Sequence, residues 1–446
     1  MPKPGRAVPK SVLVLGAFVL ASLPVSAQLI SADTVKSGHP EALRGHLDAR
    51  PNKSVNRLAA AGMQAVPAAS ALARPAHAPR PIVSPFLYPS SRSGSVNYGF
   101  VVGPNPFSGG PTSASVKTFI IPVVIKVHQV ATDFSEDANS NLILTGIKDQ
   151  DMTFDPTAPA PACLGKKNNV PFTLAVQSPV FENHHFVWNG TDLGYAQYDE
   201  AFQRANFWNT TGGDPGSYHL HLDTQTLPPL VIDFPKGTGI GLPQSSTYFG
   251  YSNCAPTALV DFDLFDEYLD YIAIPQMAAR GVNSGNFPMF IAGNVLWGAV
   301  LGQLPYYEAE AAGYHSFGDV DPAQTYGVTQ FGDENFFTWP DAVPLSHEVG
   351  EWMNDPTGSN YVQLYNVNAA FDPTGPAACQ ENYEVGDILA GFFMPPIPGR
   401  NGYTYTVQEL AYFSYFYGGP SFAAGGAYSN NNTLTSDAGP VCGNPF

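Results

Sequence analysis

The segment of residues 346–356, SHEVGEWMNDP, constrains the fold of this chain more than any other stretch. If it is helical, His347 and Glu351 lie four residues apart and therefore share one face. Three apolar residues recur at i, i+4 and i+7 on another face: Leu345, Val349 and Trp352. This spacing predicts a helix that packs one face on a core and presents polar groups on the other.

The flanking residues indicate where this helix begins and ends. Asp341 can cap its start, and Pro344 is tolerated in a first helical turn. Pro356 disfavours a helical conformation at the residue before it, so the helix is predicted to end at Asp355.

The polar face of this helix carries the groups that a metal site needs. A ring nitrogen of His347 and the carboxylate of Glu351 can reach the same ion. Glu348 lies one step round the helix, where it can act as a general base on a water molecule held by that ion. The alternative is a surface helix with two solvated glutamates.

A catalytic zinc ion takes three protein ligands, so one more should come from elsewhere in the chain. We expect Glu384 to be that ligand and Asp387 to orient a ligand, with the reverse assignment as an alternative and a plain acidic turn as another. His315 is predicted to lie in a turn, where it could stabilise a transition-state oxyanion or serve only as a structural histidine.

These motifs together resemble a group of exported bacterial zincin-like proteins. The resemblance covers most of residues 115–446 and rests on four stretches: the helix at 346–356, Glu384-Val385-Gly386-Asp387, the tail at 405–416, and the run at 203–208. The order of His and distant Glu is also similar to that of the gluzincin peptidases. The resemblance implies an α+β zincin-like domain that binds Zn²⁺ or another divalent metal, and by analogy a peptidase acting on peptides or proteins.

Glu351 stands where the well-known zinc peptidases of this kind carry a second histidine. A carboxylate donates more negative charge to the ion than imidazole does, so a bound water would be less acidic. Two further functions therefore stay open: a non-catalytic secreted binding or surface protein with a structural metal, and a glycan-active enzyme that uses a pair of carboxylates directly.

The amino terminus predicts export. Residues 1–27 combine basic residues, a short apolar run at 11–23 and the small-residue site Val25-Ser26-Ala27, as a signal peptide does. Residues 28–95 are rich in Ala and Pro and are predicted to be a linker or a pro-segment. We expect the mature protein to be secreted, extracellular or periplasmic, with no membrane anchor.

Charge excludes a nucleic-acid partner. The net charge is −17, and residues 93–446 hold 9 Lys and Arg against 34 Asp and Glu, which leaves no basic surface to bind phosphates.

Four cysteines in an exported chain predict two disulfides, for which we favour the pairs Cys163–Cys254 and Cys379–Cys442. The oligomeric state and the cleaved bond are not indicated by the sequence.

The ordered body is predicted to have two parts. Residues 96–235 read as a β-rich half, which includes a buried strand at 116–127, and residues 236–446 as the zincin-like region with the metal site. Within the second part we expect a helix at 260–274 that ends at Pro275 and a strand at 287–297. That strand is predicted to be an edge strand that could hold a substrate as an added strand.

Overall fold

The computed structural model describes residues 82–110, 112–136, 142–160, 169–243, 247–248, 251–252, 255–300, 306–332, 339–367, 370, 379–437 and 442. The predicted signal peptide and the proposed Cys163–Cys254 pair lie outside these residues. Strand β1 (Val83–Pro89) lies within residues 28–95, the range that was expected to be a linker or pro-segment. It packs on the rest of the protein through the ring of Tyr88, whose centroid is 4.8 Å from that of Phe413. Over the described ranges, every helix is too short or too polar to cross a membrane.

The fold is mixed α/β and is built mainly from strands. Eleven strands of the described chain form one sheet: β3 (Ser113–Glu136), β4 (Leu142–Phe154), β7 (His219–Thr226), β8 (Leu230–Asp233), β9 (Gly239–Leu242), β12 (Thr257–Asp261), β13 (Phe287–Ala292), β14 (Val295–Val300), β15 (Tyr306–Ala311), β16 (Gly313–Phe317) and β17 (Thr325–Gln330). Their order is β16-β17-β13-β3-β4-β15-β14-β12-β9, with β7 and β8 also paired to β3.

The remaining described strands form two-stranded ribbons beside this sheet. They are β1 with β2 (Val96–Val102), β5 (His184–Trp188) with β6 (Thr191–Ala196), β10 (Thr247–Tyr248) with β11 (Tyr251–Ser252), β18 (Tyr361–Asn366) with β19 (Cys379–Asn382), and β20 (Ile397–Pro398) with β21 (Thr404–Tyr405). A Cys379–Cys442 disulfide, with Cα atoms 5.9 Å apart, ties β19 to the end of the chain. This is the second of the two predicted pairs.

The long strand β3 organises the sheet. Its first half lies between the parallel strands β7 and β13, and its second half pairs with the antiparallel strand β4. Pro122 is the last residue of β3 that pairs with β13, and the pairing of β3 with β4 begins only at Ile125. This position between two pairings suits a residue that has no N–H to donate. The predicted strand at 116–127 is the apolar, buried part of β3.

Helices pack on this sheet and at its margins. They are α1 (Pro171–Val176), α2 (Tyr198–Asn206), α3 (Trp208–Thr211), α4 (Phe262–Tyr268), α5 (Ile274–Met277), α6 (Val343–Asn354) and α7 (Phe413–Tyr417), with 3₁₀ turns at Ala278–Arg280, Asp387–Leu389 and Ala424–Gly426. The predicted helix at 260–274 begins later, at Phe262, and passes through Pro275. It continues because the π-turn Leu269–Ala273 widens the chain just before the proline and accommodates its missing N–H.

The prediction of one edge strand at 287–297 is wrong. Gly293 and Asn294, which has a φ of +52°, divide this stretch into β13 and β14. Strand β13 lies between β17 and β3 and is buried along its whole length. The outer strand on this side is β16, whose middle residue is His315.

Candidate metal centre

Helix α6 carries the predicted motif through the interior of the protein, and all twelve of its residues are buried. On the apolar side, Trp352 stacks on Phe287 with ring centroids 3.6 Å apart, and its indole N–H donates to the Thr325 hydroxyl. As predicted, the helix ends before Asp355. Asp341 is not its cap, because the carboxylate of Asp341 instead accepts the backbone N–H groups of Ala342 and Thr406.

The structure brings His347, Glu351 and Asp387 together, with ligand atoms that all lie within 4.8 Å of one another. Nε2 of His347 lies 3.0 Å from Oε2 of Glu351 and 3.5 Å from Oδ1 of Asp387. Apart from the ion pair of Nε2 with Oε2, none of these three atoms has a hydrogen-bond partner within the described chain. Buried polar atoms are normally hydrogen-bonded, so this group has the character of an ion-binding site.

The second polar atoms of His347 and Glu351 are held by the protein. Nδ1 of His347 lies 2.9 Å from Oε1 of Gln408, and Oε1 of Glu351 accepts the backbone N–H of Gly386 at 3.2 Å. Burial lowers the pKa of His347, but the nearby carboxylates, Glu351 first, raise it to about 10. Burial and the charge of Glu351 raise the pKa of Asp387 well above its usual value. Both pKa values are raised because several buried carboxylates lie close together with few positive charges beside them.

A second group shares Glu351 and contains His315 and Glu348. His315 lies in β16 rather than in a turn, and its Nε2–H donates to the carbonyl of Asp355 at 2.9 Å. Its Nδ1 lies 3.5 Å from Oε2 of Glu348. Burial raises the pKa of Glu348 to about 7, although His315 acts to lower it. The Nε2–H of His315 is already donated, and in the protonated ring the Nδ1–H faces Glu348, so the geometry suits a partner of Glu348 better than an oxyanion donor.

Glu384 and Asp387 approach different histidines of the cluster. Oδ1 of Asp387 is near His347, whereas Oε2 of Glu384 is 3.9 Å from Nε2 of His315. The geometry therefore favours Asp387 over Glu384 as the third ligand beside His347 and Glu351. The sequence analysis preferred Glu384 and gave Asp387 as the alternative.

Two residues beside this cluster carried no predicted role. Gln408 orients His347, and the Tyr365 hydroxyl is buried without a hydrogen-bond partner in the described chain. Burial first, then the charges of Asp387 and Glu384, raises the pKa of Tyr365. Gln408 belongs to the tail at 405–416 that carries part of the resemblance, and Tyr365 to none of those stretches, but both reach the site only through the folding of distant segments.

Comparisons of this chain with protein-family models, with curated proteins and with solved structures found no match.

Proposed function

We propose that this protein is a secreted metal-dependent hydrolase that holds Zn²⁺ through His347, Glu351 and Asp387 and cleaves peptide bonds in peptides or proteins. The observation that carries the proposal is the convergence of three buried ligand atoms that, apart from the ion pair of His347 with Glu351, have no hydrogen-bond partners in the described chain. A cation there would offset the cost of burying two carboxylates at one point.

The donor set fits the proposed ion. Imidazole nitrogen and carboxylate oxygen are both donors that zinc accepts, and other divalent first-row metals also accept them; the set differs from the two-histidine, one-carboxylate zinc site by one carboxylate in place of a histidine. The Nδ1 contact of His347 with Gln408 is the kind of outer contact that orients metal-binding histidines. Resemblance of the motifs to exported zincin-like proteins supports the same ion and a zincin-type α+β fold.

Glu348 is the residue that we assign to proton transfer. When bound, the ion would polarise a substrate carbonyl and make a nearby water molecule more acidic. The carboxylate of Glu348, whose pKa burial raises above its usual value, can accept a proton and return it to a leaving amine. When both ring nitrogens are protonated, His315 can donate its Nδ1–H to this carboxylate while its Nε2–H is donated to the Asp355 carbonyl.

The location of the proposed activity follows from the first 27 residues. Their basic start, apolar run and small-residue cleavage site support export, so we place the protein outside the cytoplasm, in the extracellular space or a periplasm. The excess of acidic residues in the remainder of the chain suits peptide or protein substrates rather than nucleic acid.

The test is the variant Glu348→Gln, assayed for metal content and for cleavage of an unfolded protein such as casein. We expect it to keep the ion and to lose about 10²- to 10⁴-fold in turnover, the range typical of a removed general base. Glu381→Gln, on the neighbouring strand β19 and outside the cluster, is the matched control and should cleave normally. Cleavage by Glu348→Gln at the wild-type rate would refute the assigned role.

A second candidate is a non-catalytic secreted protein with a structural metal. It is favoured by burial, because the side chains of His315, His347, Glu348 and Glu351 are all inaccessible to solvent. Chelation distinguishes the two functions. A large fall in melting temperature without activity in either state supports the structural metal, whereas activity that disappears with the metal and returns with Zn²⁺ supports the hydrolase.

A further inference from the structure

Gln408 occupies a fully buried position between three segments that build the proposed metal centre. Its backbone N–H donates to the Ser346 hydroxyl at 3.0 Å, and its backbone carbonyl accepts the hydroxyl of Tyr198. Its side-chain amide contacts His347 on one side and the backbone of Gly386 on the other. All of its polar groups are thus engaged, so the side chain has one defined orientation.

The contact with Gly386 determines which way the amide points. The carbonyl oxygen of Gly386 can only accept a hydrogen bond, so the atom 2.6 Å from it is the donor Nε2 of Gln408. The acceptor Oε1 therefore faces Nδ1 of His347 at 2.9 Å. It follows that Nδ1 carries the proton and that neutral His347 keeps the lone pair of Nε2 for the ion.

The same amide also sets the distance between His347 and the loop that carries Asp387. Gly386 is held from both sides, since its N–H donates to Glu351 and its carbonyl accepts from Gln408. A Cβ atom at this position would lie 2.3 Å from Nδ1 of His347, so only glycine permits this approach. Asp387, the next residue, is brought to the site by this contact.

An amide suits this position better than a carboxylate. Carboxylates commonly orient metal-binding histidines, but here Glu348, Glu351, Glu384 and Asp387 already bring four acidic groups together. A fifth acid would add repulsion and would also face the Gly386 carbonyl. A neutral glutamine supplies the acceptor for Nδ1–H and a donor for the loop without more negative charge.

We propose that Gln408 is a positioning residue that fixes His347 in its Nδ1–H tautomer and holds the Asp387 loop against it, so that both ligands converge on one ion. This inference rests on the proposed metal centre. Its effect is on the affinity for the ion and on the state of the imidazole, rather than on the chemical step itself.

The test uses the full chain freed of metal and titrated with Zn²⁺ against a competing chelator. We expect Gln408→Leu to bind Zn²⁺ about 10- to 100-fold more weakly, the loss typical of removing such a contact. Gln408→Glu keeps an acceptor for Nδ1–H and should lose less. Gln203→Leu is the matched control, because Gln203 is also buried but its amide has no hydrogen-bond partner in the described chain, and it should bind Zn²⁺ as the wild type does.

A spectroscopic readout separates positioning from general damage to the core. In zinc-loaded protein with ¹⁵N-labelled histidine, the nitrogen shifts of His347 should show a protonated Nδ1 and a ligated Nε2 in the wild type and in Gln408→Glu. Gln408→Leu should lose this uniform state. Wild-type affinity and shifts in Gln408→Leu would overturn the inference while leaving the metal centre intact, whereas a wild-type chain that binds no Zn²⁺ would overturn both.

Discussion

Oε2 of Glu351 lies 3.0 Å from Nε2 of His347, one turn earlier on α6. The other carboxylate oxygen, Oε1, accepts the backbone N–H of Gly386. The helix therefore sets the spacing of the two ligands, while the loop backbone sets the rotation of the carboxylate. Together these contacts aim Oε2 at the position that His347 and Asp387 also face.

Asp387 should prove to be the third ligand. We expect Asp387→Asn to weaken Zn²⁺ binding by more than the roughly 100-fold that loss of an outer contact can cause, and Glu384→Gln to weaken it by less than about 10-fold. Both variants keep the shape of the side chain, so each serves as the control for the other. A competition titration measures the two affinities, and the opposite ranking would restore Glu384 as the ligand.

Gly386→Ala should disrupt the centre without replacing any of the proposed ligands. The added methyl group would lie 2.3 Å from Nδ1 of His347, a distance that forces the ring or the loop to move. We expect at least a 10-fold loss of Zn²⁺ affinity, on the scale of other orienting contacts. Gly110→Ala, which would meet only the Ser108 hydroxyl, is the control. Equal affinities of the two variants would show that the close approach is not required.

Metal removal should make stability depend on pH. Burial lowers the pKa values of both histidines, but adjacent carboxylates raise them, to about 9 for His315 and about 10 for His347. Both values exceed the 6.5 of an unperturbed histidine. The stabilisation from the two protonated rings is therefore complete below about pH 6.5 and is lost as the pH rises through about 9 to 10.

This dependence can be measured as a melting temperature across the pH range. The chelated protein should lose thermal stability between about pH 8 and pH 10.5. The zinc-loaded protein should lose less, because His347 is then ligated rather than protonated. Parallel curves for the two forms would contradict the assignment of His347 to the centre.

The Cys379–Cys442 disulfide should stabilise the region that carries the acidic loop. It closes a segment of 63 residues, so replacing both cysteines by serine should lower the free energy of unfolding by about 2–5 kcal/mol. Chemical denaturation under oxidising conditions measures this loss, and an unchanged midpoint would show that the bond contributes nothing. Zn²⁺ binding should persist in the folded double variant, because neither cysteine belongs to the candidate ligand groups of the described residues.

The local part of the site could be predicted from the sequence. The i, i+4 spacing of His347 and Glu351 and the proline after Asp355 were sufficient to predict α6 and its end, since both act within a few residues. The buried strand at 116–127 was equally clear from its continuous β-branched and apolar residues.

The rest depended on contacts between distant segments. The contact of His347 with Gln408 joins residues 61 positions apart, and no pattern at either position indicates it. The choice between Glu384 and Asp387 depends on how the loop after β19 turns against α6. The helix continues through Pro275 because of a π-turn, which hydrophobic spacing does not reveal. Strand β13 lies inside the sheet rather than at its edge because it pairs with both β17 and β3, and the sequence does not indicate this strand order.

The most direct test of the proposed centre is metal content by mass spectrometry, on folded protein purified without chelators or metal-affinity resin. Wild type, Glu351→Ala and the control Glu381→Ala should be measured together. We predict close to one zinc ion, or one other divalent metal ion, per chain in the wild type and the control, and none in Glu351→Ala. A folded wild-type chain that contains no metal would contradict the central claim and leave α6 as a buried structural helix.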